Sequence, residues 1–199
     1  NTRHITMPGE PFGMSFSEDN EAIVITHQND TKTSLFSSGL SATGPATSPS
    51  IQFITNDVPV GGTSITAIPH DPDAFPACTQ GSPGCALLPR PAYVQTTRFA
   101  PQLDLLRFYS DEGAAGASSL HRPFLVNEGK IAITLSPSGV DSRSVVIDES
   151  PRIACKANAG SSADAKKECA RLPSRIFIAN RSPAALLIGE VGGATSPAD

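Results

Sequence analysis

The stretch SRIFIANRSPAALLIGEV, from Ser174 to Val191, constrains the fold more than any other. Arg175 to Asn180 is a run of strand formers, Arg181-Ser182-Pro183 is a turn, and Ala184 to Val191 is a second apolar run. Side chains of a strand alternate faces, so Ile176 and Ile178 share one face while Phe177 and Ala179 share the other. A strand apolar on both faces is expected to be covered on both. The stretch therefore predicts a hairpin inside a sheet, with further layers packed over each side.

Helices cannot supply those layers in quantity. The chain of 199 residues carries 16 glycines and 18 prolines, well above the usual share of about 12% for the two together. Breakers at that density exclude long helices and favour short strands joined by tight turns. One helix is predicted, from about Ser162 to Arg171, with Ser161 as N-cap, Asp164 as its capping-box partner and Pro173 beyond its end. The rest reads as strands: Phe12–Phe16, Ala22–His27, Lys32–Ser37, Ile51–Thr55, Thr63–Ile68, Ala92–Arg98, Leu103–Tyr109 and Ser144–Ile147, before the hairpin. His121–Val126 and Lys130–Leu135 read as two more, separated by an Asn127-Glu128-Gly129 turn. Ser41 to Ser50 is a low-complexity linker.

The hairpin has two counterparts. AIVITHQNDTKTSLFS from Ala22 and AYVQTTRFAPQLDLLRFY from Ala92 have the same layout: a strand apolar on both faces, a short turn and a second strand. One further strand precedes each. A recurring antiparallel unit of three to four strands is the signature of a propeller blade. Blades usually take about 40–50 residues. The wider spacing here is absorbed by the linker at 41–50 and by two cysteine-bearing loops.

Two phrases resemble the YVTN/NHL-type β-propeller repeat. Pro11-Phe12-Gly13-Met14-Ser15-Phe16-Ser17, a polar turn and Ala22-Ile23-Val24-Ile25-Thr26 form the first; Ile176-Phe177-Ile178-Ala179-Asn180-Arg181 forms the second. The turns depart from the family, with Ser17-Glu18-Asp19-Asn20 in place of Asp-Gly and a cysteine loop in the third unit. The resemblance implies an all-β chain, a partial β-propeller of three- to four-stranded antiparallel blades at about 8–56, 61–135 and 140–199. A β-sandwich built from the same strands is the alternative. Three blades fall short of the four to eight that close a ring, so the remaining blades or a protein partner are expected to complete it.

Four cysteines, Cys78, Cys85, Cys155 and Cys169, allow three pairings. Cys78–Cys85 and Cys155–Cys169 are favoured because short loops close at the lowest entropic cost. A zinc site is the rival, but there is no C-x-x-C spacing and no histidine near the second pair. Disulfides place the chain outside the cytoplasm: periplasm, cell surface or secreted. The chain opens on Asn1 without a basic start or apolar signal core, which reads as a processed or excised chain. No apolar run is long enough for a membrane span. A net charge of −4 with no larger basic cluster than Lys166-Lys167 argues against nucleic acid.

Chemistry is sparse. His70, Asp71 and Asp73 offer a weak metal set in a proline-rich loop, with calcium as the fitting ion, but no further acidic ligand follows at a suitable spacing. Ser17 to Glu21 is acidic and reads as a solvated turn. His4, His27 and His121 lack a nucleophile or ligand partner at any motif spacing, and there is no G-x-S-x-G, H-E-x-x-H or phosphate loop. Arg143, Arg175 and Arg181 lie at strand ends, where they are weak candidates to hold an anionic group; ion pairing with Asp141, Asp148 or Glu149 is the favoured reading. The expected role is a binding or scaffold module that presents loops from rigid blades. The alternatives are a lactonase-like propeller hydrolase with a channel metal, and a structural subunit of an assembly.

Overall fold

The computed structural model describes residues 6–17, 22–37, 50–54, 58–69, 71, 73, 92–110, 123–134 and 141–192. They form an all-β arrangement of three antiparallel sheets with two short helices. The first sheet runs β1 (Pro11–Phe16), β2 (Ala22–His27), β3 (Thr33–Ser37), β4 (Ser50–Ile54) in spatial and chain order. The second repeats that order with β5 (Gly62–Ile68), β6 (Ala92–Thr97), β7 (Gln102–Ser110) and β8 (Pro123–Ala132). The third has β9 (Ser142–Asp148), β10 (Ser174–Asn180) and β11 (Ala185–Val191), with β10 between the other two. The hairpins that begin at Ala22, Ala92 and Arg175 are thus the second and third strands of their sheets.

The sheets stack through their first strands, β1 against β5 and β5 against β9. A side chain on β1 is incompatible with this at Gly13, where a Cβ would lie 2.9 Å from Thr26 Oγ1 and 3.0 Å from the Ser64 Cα. Bridging hydrogen bonds fix the stacking. The Ala67 N–H donates to Ser15 Oγ at 3.1 Å, the Val145 N–H donates to Ser64 Oγ at 3.2 Å, and Thr63 Oγ1 donates to the Ser142 carbonyl at 2.7 Å. The hydroxyls of Ser15, Ser64 and Thr63 are therefore hydrogen-bonded where the sheets meet.

One local arrangement occurs in all three sheets. The residue after the second strand donates its N–H to the carbonyl just before the first strand: Gln28 to Glu10 at 3.0 Å, Arg98 to Gly61 at 2.8 Å, Arg181 to Asp141 at 2.9 Å. Beside each bond the first strand carries an extra residue, between Pro11 and Met14, between Gly62 and Ser64, and between Ser142 and Ser144. Such bulges bend the strand end and raise its twist.

Two apolar clusters fill the two interfaces. Val24, Leu35, Ile65, Tyr93, Leu106 and Leu125 pack between the first and second sheets, and Val94, Leu103, Val145, Ile176 and Ile178 between the second and third. Truncating a leucine such as Leu106 to alanine in a site this closed costs about 2–5 kcal/mol. The middle sheet is the one covered on both faces, with Tyr93 to Thr97 all buried. The same expectation for Arg175–Asn180 fails. Ile176 and Ile178 are buried, but Ala179 is exposed and Phe177 half-buried, because the third sheet ends the stack. Val146 and Ile188 flank Phe177 across the strands, and with Leu186 they leave an apolar outer face open. Phe12, Met14 and Phe16 do the same on β1 at the other end.

Three further expectations are corrected. Asn127-Glu128-Gly129 is not a turn: β8 continues through it, and the register slip that pairs Leu105 with Gly129 and Leu106 with Asn127 makes Glu128 the extra residue of a bulge. The loop after β9 contains α1 (Ser150–Asn158), which begins with Pro151 in its first turn, where a missing N–H costs nothing. The second helix, α2 (Ala163–Ala170), is the predicted one, but its N-cap is Ser162, whose hydroxyl accepts from the Ala165 N–H at 3.3 Å. A disulfide joins Cys155 of α1 to Cys169 of α2, as expected. Cys78 and Cys85 lie outside the described residues.

Candidate functional site

The end of the sheets marked by the three recurring backbone bonds gathers the main charged cluster. The first sheet has Gln28 at the bonded position; the second and third have Arg98 and Arg181. The carbonyl that Arg181 bonds belongs to Asp141, whose carboxylate is only 8% exposed. Asn180 sets this corner: its Oδ1 accepts from the Asp141 N–H at 3.2 Å and the Ser142 hydroxyl at 3.3 Å, while its Nδ2 donates to the Pro183 carbonyl at 2.6 Å. The asparagine that carries the resemblance to propeller repeats thus has a local structural role here.

Three arginines converge on that carboxylate. Arg143 grips it two-pronged, with Nη2 donating to Oδ2 at 3.1 Å and Nε 2.6 Å from Oδ1. Arg181 Nε lies 2.5 Å from Oδ2, and Arg98 Nε lies 3.7 Å from Oδ1, within ion-pair range and beyond hydrogen-bonding range. The Arg98 guanidinium sits over the Phe99 ring, 5.1 Å from its centroid. Phe99 is itself exposed and packs over Gly61, where a Cβ would come within 2.7 Å of the ring and the φ of +96° suits glycine. Arg98 thereby ties the second sheet to a carboxylate of the third.

Of the arginines singled out from sequence, Arg143 and Arg181 are brought together and Arg175 is not. Arg175 stands at the opposite end of β10, paired across the strands with Asp148. Arg98 is the member that sequence reasoning missed. Its signal was positional, since Arg98 and Arg181 each follow the second strand of their hairpin. The ion pairing favoured from sequence is present for Arg143 and Arg181 at Asp141, and Glu149 is taken by Arg152, 2.6 Å away.

The candidate metal loop meets a cation. Asp71 and Asp73 both accept from Lys156 Nζ on α1. That contact holds the Asp73 carboxyl below its ordinary range, and although burial opposes the charge on Lys156, the two carboxylates raise its pKa. A residue away from the loop, Arg152 is buried and donates to the Pro69 carbonyl and to Ser174 Oγ, so α1 is clamped to the segment after β5. His70, His4 and His121 lie outside the described residues. Among the described residues no three His, Cys, Asp or Glu side chains converge as metal ligands, and no helix is long and apolar enough to cross a membrane.

His27 does find a hydroxyl: its Nε2 is 2.7 Å from Ser34 Oγ. Both residues are fully buried on the face of the first sheet opposite Val24 and Leu35, so the pair has no substrate access and acts as an internal tie within that sheet. No family model, no curated protein and no solved structure matches the chain.

Proposed function

We propose that the chain is a three-blade part of a β-propeller and serves as a binding or scaffold module outside the cytoplasm. The observation that carries this reading is the recurrence, in three successive sheets, of one backbone bond beside one bulge. Up-and-down sheets stacked by their first strands in chain order support a propeller over a sandwich. The Cys155–Cys169 disulfide supports an oxidising compartment. The open apolar faces on β1 and on the third sheet are the places where further blades, of this protein or of a partner, would pack. The end bearing Arg98, Arg143 and Arg181 is the presenting end, because its turns project exposed side chains from a rigid base.

The reading is tested on the purified chain by light scattering and by binding of a hydrophobic dye. Association or strong dye binding is expected. Both should fall when Leu186 and Ile188 are replaced by lysine, with little change in melting temperature. A dye-silent monomer whose outer faces on β1 and β11 exchange hydrogen as slowly as β6 would defeat it.

A further inference from the structure

We infer that the arginine cluster at Asp141 binds an oxyanion: a carboxylate, sulfate or phosphate group. Arg143 alone balances the charge of the Asp141 carboxylate, through one hydrogen bond to Oδ2 and a close ion-pair contact at Oδ1. Arg98 and Arg181 add two positive charges, and among the described residues no second carboxylate pairs with either. Each guanidinium has five N–H donors, and one carboxylate accepts about four bonds. The three guanidiniums therefore carry more donors than Asp141 can accept. Asp141 is more than nine-tenths buried, so it anchors the cluster from beneath and leaves the approach open. Arg181 is the accessible arm, with its side chain 65% exposed. Arg98 is held in place against Phe99, so its fork is ordered before any ligand arrives.

A purely structural clamp requires less. One arginine would pair Asp141, and a bond from Arg98 would join the sheets at hydrogen-bonding distance; instead Arg98 Nε stays at 3.7 Å. Exposed Phe99 beside the cluster adds an apolar surface for the carbon skeleton of an organic anion. The two sources of the oxyanion are a free inorganic ion and an acidic group on such a skeleton. The inference rests on the reading of this end as the presenting end, and it is independent of how the apolar faces are covered.

The test is titration calorimetry of the full chain with sodium sulfate and, separately, with trigalacturonate, at low ionic strength. Saturable binding that weakens with added sodium chloride is expected. Arg181→Gln and Arg98→Gln should each weaken it about tenfold, the effect of losing one charge-assisted hydrogen bond. Arg175→Gln, at the far end of β10, should leave it unchanged. Asp141→Asn should tighten it. Trigalacturonate binding tighter than sulfate, with the excess lost in Phe99→Ala, assigns an organic acid; equal binding of both assigns a free oxyanion. Absence of saturable binding to either probe, or binding equal in wild type, Arg98→Gln and Arg181→Gln, overturns the inference. Light scattering on the same samples reads the blade-packing proposal separately, so either can fail alone.

Discussion

Thr33 of the first sheet donates its hydroxyl to Gln95 Oε1 of the second at 2.7 Å, with both side chains fully buried. This is a polar tie within the apolar cluster between the sheets, near Leu35 and Tyr93. Thr33→Val keeps the shape and removes the donor, leaving a buried amide oxygen unpaired. A loss of about 1–3 kcal/mol is expected from urea unfolding. Adding Gln95→Leu removes the stranded partner as well, so the double variant should be more stable than the two single losses added together. Strict additivity would mean that the two side chains do not act as a pair.

His27 gives the first sheet a pH dependence. Burial lowers its pKa from 6.5; the backbone at Gly9 and Pro8 and the charge of Asp30 work against that, while Lys32 reinforces it. A folded-state value below the unfolded one means that the unfolded chain takes up the proton first as pH falls. The stability linked to neutral His27 is therefore complete above the unfolded value and is lost as pH falls below about 6.5. Unfolding of wild type and His27→Gln, compared at pH 7.5 and 5.5, should show wild type losing ground at the lower pH. The other histidines cancel in that comparison. A gap between the two proteins that is the same at both pH values would remove His27 as the cause.

Asp104 has the opposite slope. It is fully buried on β7, and burial raises its pKa above 3.8, while hydrogen bonds from Asn127 and Gln102 and the charge of Lys130 act to lower it. Oδ1 accepts from Gln102 Nε2 at 2.7 Å and from Asn127 Nδ2 at 3.1 Å. Folding favours the protonated acid, so the contribution is full below the ordinary carboxylate value and is lost as pH rises through the raised one. Asp104→Asn mimics the neutral form. The variant should gain on wild type between pH 4 and pH 7 in thermal unfolding. If its advantage shrinks over that range, the carboxyl is ionised in the folded state and paired more strongly than these contacts show.

Strands were legible because their turns carry local signals: the polar Gln28–Thr31 and Phe99-Ala100-Pro101 segments each end a run of strand formers. What was not legible depends on position in the stack. Phe177 and Val94 look alike in sequence, yet Val94 is buried because the third sheet covers it, and Phe177 is half-buried because its sheet comes last. Pro151 reads as a breaker and is in fact a helix start, a distinction made by its place in the first turn. Glu128 reads as a turn residue, but its neighbours Asn127 and Gly129 pair with Leu106 and Leu105 far back in the chain, which fixes it as a bulge. The charged site was half visible. Arg143 and Arg181 are close to Asp141 in sequence or in the hairpin, whereas Arg98 comes from another sheet and reaches Asp141 only once the two sheets stack.

The helical pair is expected to come loose without unfolding the sheets. Cys155 and Cys169 are 14 positions apart, and a loop of that size restrains the unfolded chain by about 3 kcal/mol. Few apolar side chains hold α1 and α2 otherwise: Ile153 is exposed, and the buried members are Arg152, Cys169 and Ala170. Cys155→Ser with Cys169→Ser should therefore speed amide exchange across both helices. Arg152 bonds Pro69 and Ser174, and Lys156 bonds Asp71 and Asp73, so the effect should spread to the segment after β5 and the start of β10. Amides of β6, covered on both faces, should keep their protection. Intact mass after alkylation should show no free thiol at Cys155 or Cys169 in the native protein. Uniform loss of protection across β5, β6 and β10 would instead make the disulfide a staple of the whole stack.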